Sequence, residues 1–308
     1  MKALRIHHFG GPKVLQLDEL DAPEPGHGEV RVRVAAASLN PVDYKMRRGG
    51  YARLPESALP VTLGRDLSGV VEAIGPNVEH VVPGEPIMAH IGWDCGAQAE
   101  CVIVKLGEFV PKPETLTLID AGSLPLAAMT AWQGLFDHGG LKAGERVLIQ
   151  GASGGVGYLA VQFAKAHGAE VLATASAKNL GWMRELGADT AIDYAGDVAA
   201  EAGELDMILD LVGGEVRARS WAMLKPDGRL VSAPSGSDLE AEGRAHGRRG
   251  IAYMARPDAE QLAKVGRMAD EGTLQVMVER TFRLDEAAAA HHALEEGHPR
   301  GKLVFEIA

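Results

Sequence analysis

The middle of the chain alternates short apolar runs with longer amphipathic stretches. Arg146-Val147-Leu148-Ile149-Gln150, Val171-Leu172-Ala173-Thr174-Ala175, Ala191-Ile192-Asp193, Met207-Ile208-Leu209-Asp210 and Arg229-Leu230-Val231-Ser232 each read as a buried strand. Helical stretches separate them, with stop signals at Gly187 and Pro226-Asp227-Gly228. After the first run, Val156, Leu159, Ala160, Phe163 and Ala164 recur at helical spacing, and Gly168 stands where a left-handed C-cap would end the helix. Apolar strands alternating with helices predict a parallel sheet covered on both faces.

The flanks follow another pattern. Val30-Arg31-Val32-Arg33-Val34 alternates strictly, and Gly69-Val70-Val71-Glu72-Ala73-Ile74-Gly75 is short and bounded by turns. Pro23, Pro25, Gly26, Gly28, Pro83, Gly84 and Pro86 punctuate the region. This predicts a β-rich domain of short strands, a partly closed barrel. Pro111 and Pro113 precede Leu116-Thr117-Leu118-Ile119-Asp120, read as the crossing into a second domain. Residues 258–271 and 284–296 read as helices, the latter ended by Gly297. Leu274-Gln275-Val276-Met277-Val278 reads as an apolar edge of the parallel sheet. The alternating Lys302-Leu303-Val304-Phe305-Glu306-Ile307 more naturally completes the β-rich domain. The expected organisation is therefore an α/β chain of two domains, one split: residues 1–114 plus 280–308, interrupted by 115–279.

The run ending at Gln150 empties into Gly151-Ala152-Ser153-Gly154-Gly155-Val156-Gly157. Strand, glycine turn and helix entrance together suit a dinucleotide. Gly154 lets the backbone approach a pyrophosphate, Gly157 lets the helix pack on the strand, and the N–H groups at the helix start face the anion. Ala152 stands where the usual fingerprint has its first glycine. About 20 residues on, an NAD-specific fold offers Asp or Glu to the ribose 2′-hydroxyl. Here the sequence is Ser176-Ala177-Lys178-Asn179, with no carboxylate between Val171 and Glu185. Lys178 would attract a 2′-phosphate and Ser176 could donate to it, so the expected cofactor is NADPH.

Composition narrows the classes. A length of 308 residues suits two domains, and a formal net charge of −11 argues against nucleic acid. The one basic cluster, 243–250 with Arg244, Arg248 and Arg249, reads as a solvated loop. No run of about 18 apolar residues exists, so no membrane association is expected, and the expected location is cytoplasmic. Cys95 and Cys101 read as unlinked thiols, and the pairs His7-His8 and His291-His292 as surface residues.

Asn40-Pro41-Val42-Asp43-Tyr44-Lys45, Gly64-Arg65-Asp66-Leu67-Ser68-Gly69-Val70-Val71, Leu124-Pro125, Thr130-Ala131-Trp132 and the glycine turn come in an order that resembles the medium-chain dehydrogenase/reductase superfamily. Within it the chain is most similar to the zinc-free quinone oxidoreductases, the ζ-crystallin-like branch. The resemblance implies a GroES-like β-rich domain plus a Rossmann-type doubly wound parallel sheet. Where the zinc-dependent branch has a cysteine and a Gly-His-Glu segment, this chain has Ser38 and Asn40, and Gly64-Arg65-Asp66; no metal is expected. Without a Lewis acid to acidify an alcohol, reduction of a quinone or an α,β-unsaturated carbonyl becomes the expected reaction.

The resemblance also implies Asn40 and Tyr51 near the nicotinamide, with Tyr44 and Arg65 as weaker candidates. Asn40 could orient the carboxamide or acceptor oxygen, and Tyr51 could stack on the acceptor or donate to it; a loop aromatic packed on Leu54 or Leu59 is the plain alternative for Tyr51. For the cofactor, Thr130 matches the segment beside the nicotinamide, and Tyr194 matches a tyrosine that follows the next strand in related reductases. Gly151, Ser153, Gly154, Gly155, Val156, Ser176, Lys178, Leu211 and Val212 complete the expected NADPH site, with Leu211-Val212-Gly213-Gly214 and 232–235 as walls. An acyl-carrier enoyl reductase or alkenal reductase, and a non-catalytic NADPH-binding structural or redox-sensing protein, remain open alternatives. Relatives pair their sheets edge to edge, so a homodimer is expected.

Overall fold

The computed structural model describes residues 1–51, 53–233 and 238–307. The chain opens with the antiparallel pair β1 (Lys2–Ile6) and β2 (Leu15–Glu19), then enters the ten-residue β3 (Glu29–Ser38). The expected alternation is visible there: Val30, Val32 and Val34 are buried while Arg31 and Arg33 turn outward. A helix, α1 (Pro41–Arg48), follows, with Pro41 in its first turn and the Asp43 carboxylate accepting from the Asn40 N–H at 2.8 Å. Next come β4 (Val61–Thr62), β5 (Asp66–Ile74), β6 (Pro86–His90), β7 (Cys101–Lys105) and β8 (Phe109–Pro111).

Residues 116–120, read as the crossing, do not leave this unit. They enter α2 (Leu118–Ser123), which lies so close to β3 and β5 that a Cβ on Gly122 would stand 2.9 Å from Ala36 and 3.0 Å from Ser68. The next helix, α3 (Pro125–Trp132), carries the unit boundary between Ala127 and Ala128.

The second unit, Ala128–Ala255, holds a six-stranded parallel sheet. In chain order it contains β9 (Arg146–Gln150), α4 (Gly157–Ala166), β10 (Glu170–Ala175), α5 (Leu180–Glu185), β11 (Thr190–Asp193), α6 (Val198–Ala202), β12 (Leu205–Asp210), α7 (Gly214–Ser220), β13 (Leu224–Ser232), α8 (Leu239–Ala245) and β14 (Arg249–Ala252). All five predicted strands form. The sheet order β11-β10-β9-β12-β13-β14 is doubly wound, reversing direction between β9 and β12. Leu148, Leu172, Ile192, Ile208 and Leu230 pack one face with Trp221. Gly168 takes φ +86° as its C-cap role requires. Pro226-Asp227-Gly228 is not a stop but an irregular stretch inside β13, where the register with β12 shifts. The basic stretch 243–250 is largely exposed, as expected of a solvated segment, but only 246–248 is loop: its start closes α8 and its end opens β14, with Gly243 against the Gly250 backbone.

The chain then returns to the first unit, Met1–Ala127 with Arg256–Ala308, through α9 (Ala259–Asp270), β15 (Val278–Phe282), α10 (Ala287–Glu296) and β16 (Lys302–Glu306). These boundaries differ from the expected 114/115 and 279/280. α9 belongs to the β-rich unit because Ala259 N donates to Gly107 O, and Asp270 accepts from the N–H and hydroxyl of Thr115. Leu274-Gln275-Val276-Met277-Val278 is likewise not an edge of the parallel sheet. Its strand starts only at Val278, and β15 pairs with β16 in the sheet β15-β16-β3-β5-β6-β8. β16 does complete the β-rich domain, antiparallel to β3. No helix among the described residues is long and apolar enough to cross a membrane.

Candidate functional site

In the second unit the strands are parallel, so their carboxyl ends form one row. The turn 151–157 follows β9 at the reversal of strand order, where open α/β sheets bind ligands. Gly151 has φ +70° and Ala152 N donates to Thr174 O at 3.0 Å, tying the turn to β10. Ser153, Gly154, Gly155 and Val156 are half-buried at the entrance of α4, whose first N–H groups have no partner within the helix. A Cβ on Gly157 would stand 2.4 Å from Gly151 O and 2.5 Å from Ala152 Cα, so only glycine lets the helix meet the turn. At Gly154 a Cβ would meet only Gly151 O, at 3.4 Å. The first glycine is a packing device; the second borders open space that an approaching phosphate could use.

Along the same row, β10 ends in half-buried Ser176 and exposed Lys178, and β11 ends beside Tyr194, whose N–H donates to Ala175 O at 3.1 Å. Tyr194 is 65% exposed. The Asp193 carboxylate accepts from Ala195 N–H. After β12, Leu211 and Val212 reach the turn: a Cβ on Gly151 would lie 3.2 Å from Val212 Cγ2. This loop is held by Asp210, which the sequence reading did not single out. Its buried carboxylate accepts from Val212 N (2.9 Å), Gly213 N (2.7 Å) and the Ser232 hydroxyl (2.7 Å). Thr130 lies in α3, and its carbonyl accepts from the buried Tyr253 hydroxyl at 2.7 Å; burial pushes the Tyr253 pKa up, with Asp210 adding to it. Of the expected wall 232–235, Pro234 and Ser235 lie outside the described residues.

Asn40 and Tyr51 belong to the first unit. Asn40 is 3% exposed and its amide is engaged at both ends: Nδ2 donates to Asp66 Oδ1 (2.9 Å) and Ser38 Oγ (3.1 Å), while Oδ1 accepts from Lys302 Nζ at 2.6 Å. Asp66 also accepts from the Ser38 hydroxyl (2.7 Å) and from Leu126 N (3.0 Å) in the first turn of α3. Burial pushes the Asp66 pKa up, opposed first by Lys302. Asp43 is pushed up to about 7 by burial, against the lowering bond from Asn40 N–H. Thus Ser38, Asn40, Asp66 and Lys302 form a closed hydrogen-bonded network, which Arg65 does not join. Among the described residues no group of three or more His, Cys, Asp or Glu is arranged to hold a metal, and Cys95 and Cys101 are free thiols.

Tyr51 stacks on Trp93 (centroids 5.6 Å apart) and packs against the cluster that holds Met46, Leu54 and Leu63, as the alternative of a packed loop aromatic has it. Burial pushes its pKa up, so its hydroxyl stays protonated at neutral pH. The Arg65 guanidinium lies 4.7 Å from the Trp93 ring centre and donates to Cys95 O. Tyr44 sits under Arg48 on α1. Lys302, joined to Asn40 from the far end of the chain, was missed. Its only trace in the sequence is a lysine heading a strand whose next three residues are apolar.

Comparison with known proteins agrees with this architecture. The profile described as alcohol dehydrogenase GroES-like domain matches residues 26–114, and that described as zinc-binding dehydrogenase matches 186–305. The NAD(P)H oxidoreductase RTN4IP1, mitochondrial, of Danio rerio is 35% identical over 354 residues, covering 100% of this chain and 91% of its own. The quinone oxidoreductase of Mus musculus is 28% identical over 325 residues, covering 99% and 97%. The solved quinone oxidoreductase of Coxiella burnetii superposes with TM-score 0.95 at 37% identity, over 100% of this chain and 99% of that one. The fold and these relatives define an oxidoreductase that uses a nicotinamide cofactor. The chain belongs to the medium-chain dehydrogenase/reductase family, in its quinone oxidoreductase branch.

Proposed function

We propose that the protein is an NADPH-dependent reductase that transfers hydride to a quinone or an α,β-unsaturated carbonyl. The observation that supports the cofactor choice is that Ser176 and Lys178 follow β10 while Tyr194, whose N–H donates to Ala175 O, follows the neighbouring β11. A 2′-phosphate would pair with the Lys178 ammonium and accept from the Ser176 hydroxyl. The N–H groups of Gly155, Val156 and Gly157 would hold the pyrophosphate, with Leu211 and Val212 as the opposite wall and Thr130 toward the nicotinamide. When bound, NADPH supplies the hydride. This chain supplies placement: Tyr51 offers a ring for stacking and a protonated hydroxyl, and the Asn40 network takes the place of a metal. A reduced quinone is stable enough as its anion to take a proton from water.

Two measurements test this. NADPH oxidation is expected with quinones or alkenals in an acceptor panel, and crotonyl thioesters as the sole substrates would make the protein an enoyl reductase instead. Tight NADPH binding without turnover on any acceptor would favour a structural or sensing role. The Lys178→Glu variant is expected to lower the NADPH/NADH ratio of kcat/KM by about tenfold or more, since a lost charge-assisted contact is replaced by repulsion. An unchanged ratio would overturn the NADPH assignment.

A homodimer and a cytoplasmic location are part of the proposal. With residues 274–278 outside the parallel sheet, the edge offered to a partner is β14, partly exposed and open on one side. Light scattering is expected to give about twice the 32.6 kDa chain mass; a monomer at micromolar concentration would count against pairing. The free thiols Cys95 and Cys101 suit a reducing compartment, which fractionation of the native host cells would check.

A further inference from the structure

The loop that follows β12 is held by the strand it leaves, not by side chains of its own. At its junction with α7, Gly213 and Gly214 take φ of +80° and +57°, two consecutive positive values with no side chain to anchor either residue. Asp210 supplies the anchor. It is fully buried, and its Oδ1 accepts from Val212 N at 2.9 Å and from Gly213 N at 2.7 Å. Beyond the loop α7 is fixed separately, because Gln150 Nε2 donates to Ser220 Oγ at 2.8 Å and that hydroxyl donates to Val216 O. Within this segment only 211–213 hangs on Asp210.

The other carboxylate oxygen leads across the sheet. Oδ2 accepts from the Ser232 hydroxyl at 2.7 Å, and Ser232 O accepts from Tyr253 N at 3.2 Å. The Tyr253 hydroxyl in turn donates to Thr130 O at 2.7 Å, reaching α3 just before the helix widens into a π-helical turn at Gln133–His138. Gly134 in that turn makes room, since a Cβ there would run into the Tyr253 hydroxyl. One chain of bonds thus joins the 211–213 loop to Thr130, all of it inside the second unit.

We propose that Asp210 is the positioning residue for the nicotinamide half of the cofactor: it fixes the Leu211–Val212 wall beside the glycine turn and ties that wall, through Ser232 and Tyr253, to Thr130. The proposal deepens the NADPH reading above and rests on it. In that reading the adenine half is held by Ser176, Lys178 and Tyr194, which this chain of bonds does not include. A wall set before the cofactor arrives costs no ordering when it binds. Released from Asp210, residues 211–213 would have to be ordered by NADPH itself, and the N–H groups of Val212 and Gly213 would lose a charge-assisted acceptor.

The test is calorimetric titration of the full chain with NADPH and with adenosine 2′,5′-bisphosphate, a probe that extends only from the 2′-phosphate to the glycine turn. Asp210→Ala is expected to weaken NADPH about thirtyfold while the bisphosphate stays within about twofold. Asp210→Asn, whose amide oxygen can still accept from both N–H groups, is expected to bind NADPH within about threefold of wild type. An aspartate that only stabilises the fold would lower the number of binding sites or weaken both ligands by one factor, and either result without selectivity for NADPH overturns the proposal. So does an Asp210→Asn protein as weak as Asp210→Ala. If Asp210→Ala does not fold, Ser232→Ala, which cuts the chain one bond further on, carries the test: a loss of about threefold confined to NADPH supports the proposal, and an equal loss for both ligands, or none, overturns it. Wild-type protein that binds NADH in place of NADPH overturns the NADPH reading alone, and the same comparison between NADH and 5′-AMP then decides this one. Wild-type protein that binds neither dinucleotide overturns both.

Discussion

Gly157→Ala is expected to weaken NADPH binding about a hundredfold and to destabilise the fold by about 2 kcal/mol. The added Cβ would stand 2.4 Å from Gly151 O, 2.5 Å from Ala152 Cα and 2.8 Å from Ala152 C. All three neighbours are backbone, so no side chain can swing aside. The entrance of α4 must instead retreat from the turn, and the N–H groups of Gly155 and Val156 move with it. A hydrogen bond to a charged group contributes roughly 1.5–3 kcal/mol, and losing two reaches about a hundredfold or more in affinity. Gly154→Ala separates the two roles of this turn. Its Cβ meets only Gly151 O at an ordinary 3.4 Å, so the melting temperature is expected to hold while affinity falls. Fluorescence titration and thermal melts of both variants provide the check. A Gly157→Ala protein that binds NADPH like the wild type would overturn the assignment of this turn.

The nucleotide half of the molecule was legible because its determinants are local. Strand 146–150, the glycine turn, the helix and its Gly168 cap follow one another in sequence, and the parallel sheet merely repeats the unit. Even there, Asp210 escaped notice, since an acid at a strand end gives no sign of whether it turns to solvent or back onto the next loop's N–H groups. The first unit was legible as strands but not as a site. Asn40 and Asp66 were visible in their motifs, whereas the network they form needs Lys302, 262 residues away, and Leu126. The same non-locality explains the errors at the boundaries. Composition made α2 look like a linker and residues 274–278 like a strand, and what overrode it was tertiary packing: Gly122 on Ala36, and β15 on β16. His291 was misplaced for a related reason. On a helix carrying alanines and glutamates it reads as polar surface, yet it is fully buried, while its neighbour His292 is exposed.

That burial gives the fold an acid-sensitive contact. Arg47, at the last turn of α1 and also fully buried, donates from Nη1 to His291 Nδ1 at 3.1 Å, from Nε to Gly10 O, and pairs through Nη2 with Glu295 at 2.6 Å. Because Nδ1 must accept, His291 carries its proton on Nε2. A second proton would have to enter on Nδ1, against the guanidinium. Burial, and after it the Arg47 charge, push the pKa from 6.5 down to about 3.

The sign follows from which state binds the proton. Above pH 6.5 both folded and unfolded chains hold a neutral imidazole, and the group contributes nothing to the pH dependence. Below 6.5 the unfolded chain takes up a proton that the folded chain refuses until about pH 3, so stability falls as pH falls. At pH 5 the loss from His291 is about 2 kcal/mol, or roughly thirtyfold in the folding equilibrium. His90, also pushed down to about 3, acts in the same direction, whereas Asp43, raised to about 7, gains stability as pH falls from 7 toward 3.8 and partly offsets them. The wild-type curve therefore mixes opposing slopes, and a variant isolates one of them. His291→Gln removes the titration while keeping an acceptor for Arg47. Its deficit against wild type, measured by urea unfolding at pH 7.5, is expected to shrink by about 2 kcal/mol at pH 5. Curves that stay parallel between those two pH values would mean that His291 does not titrate differently on folding, and the buried Arg47–His291 contact would lose its role in acid stability.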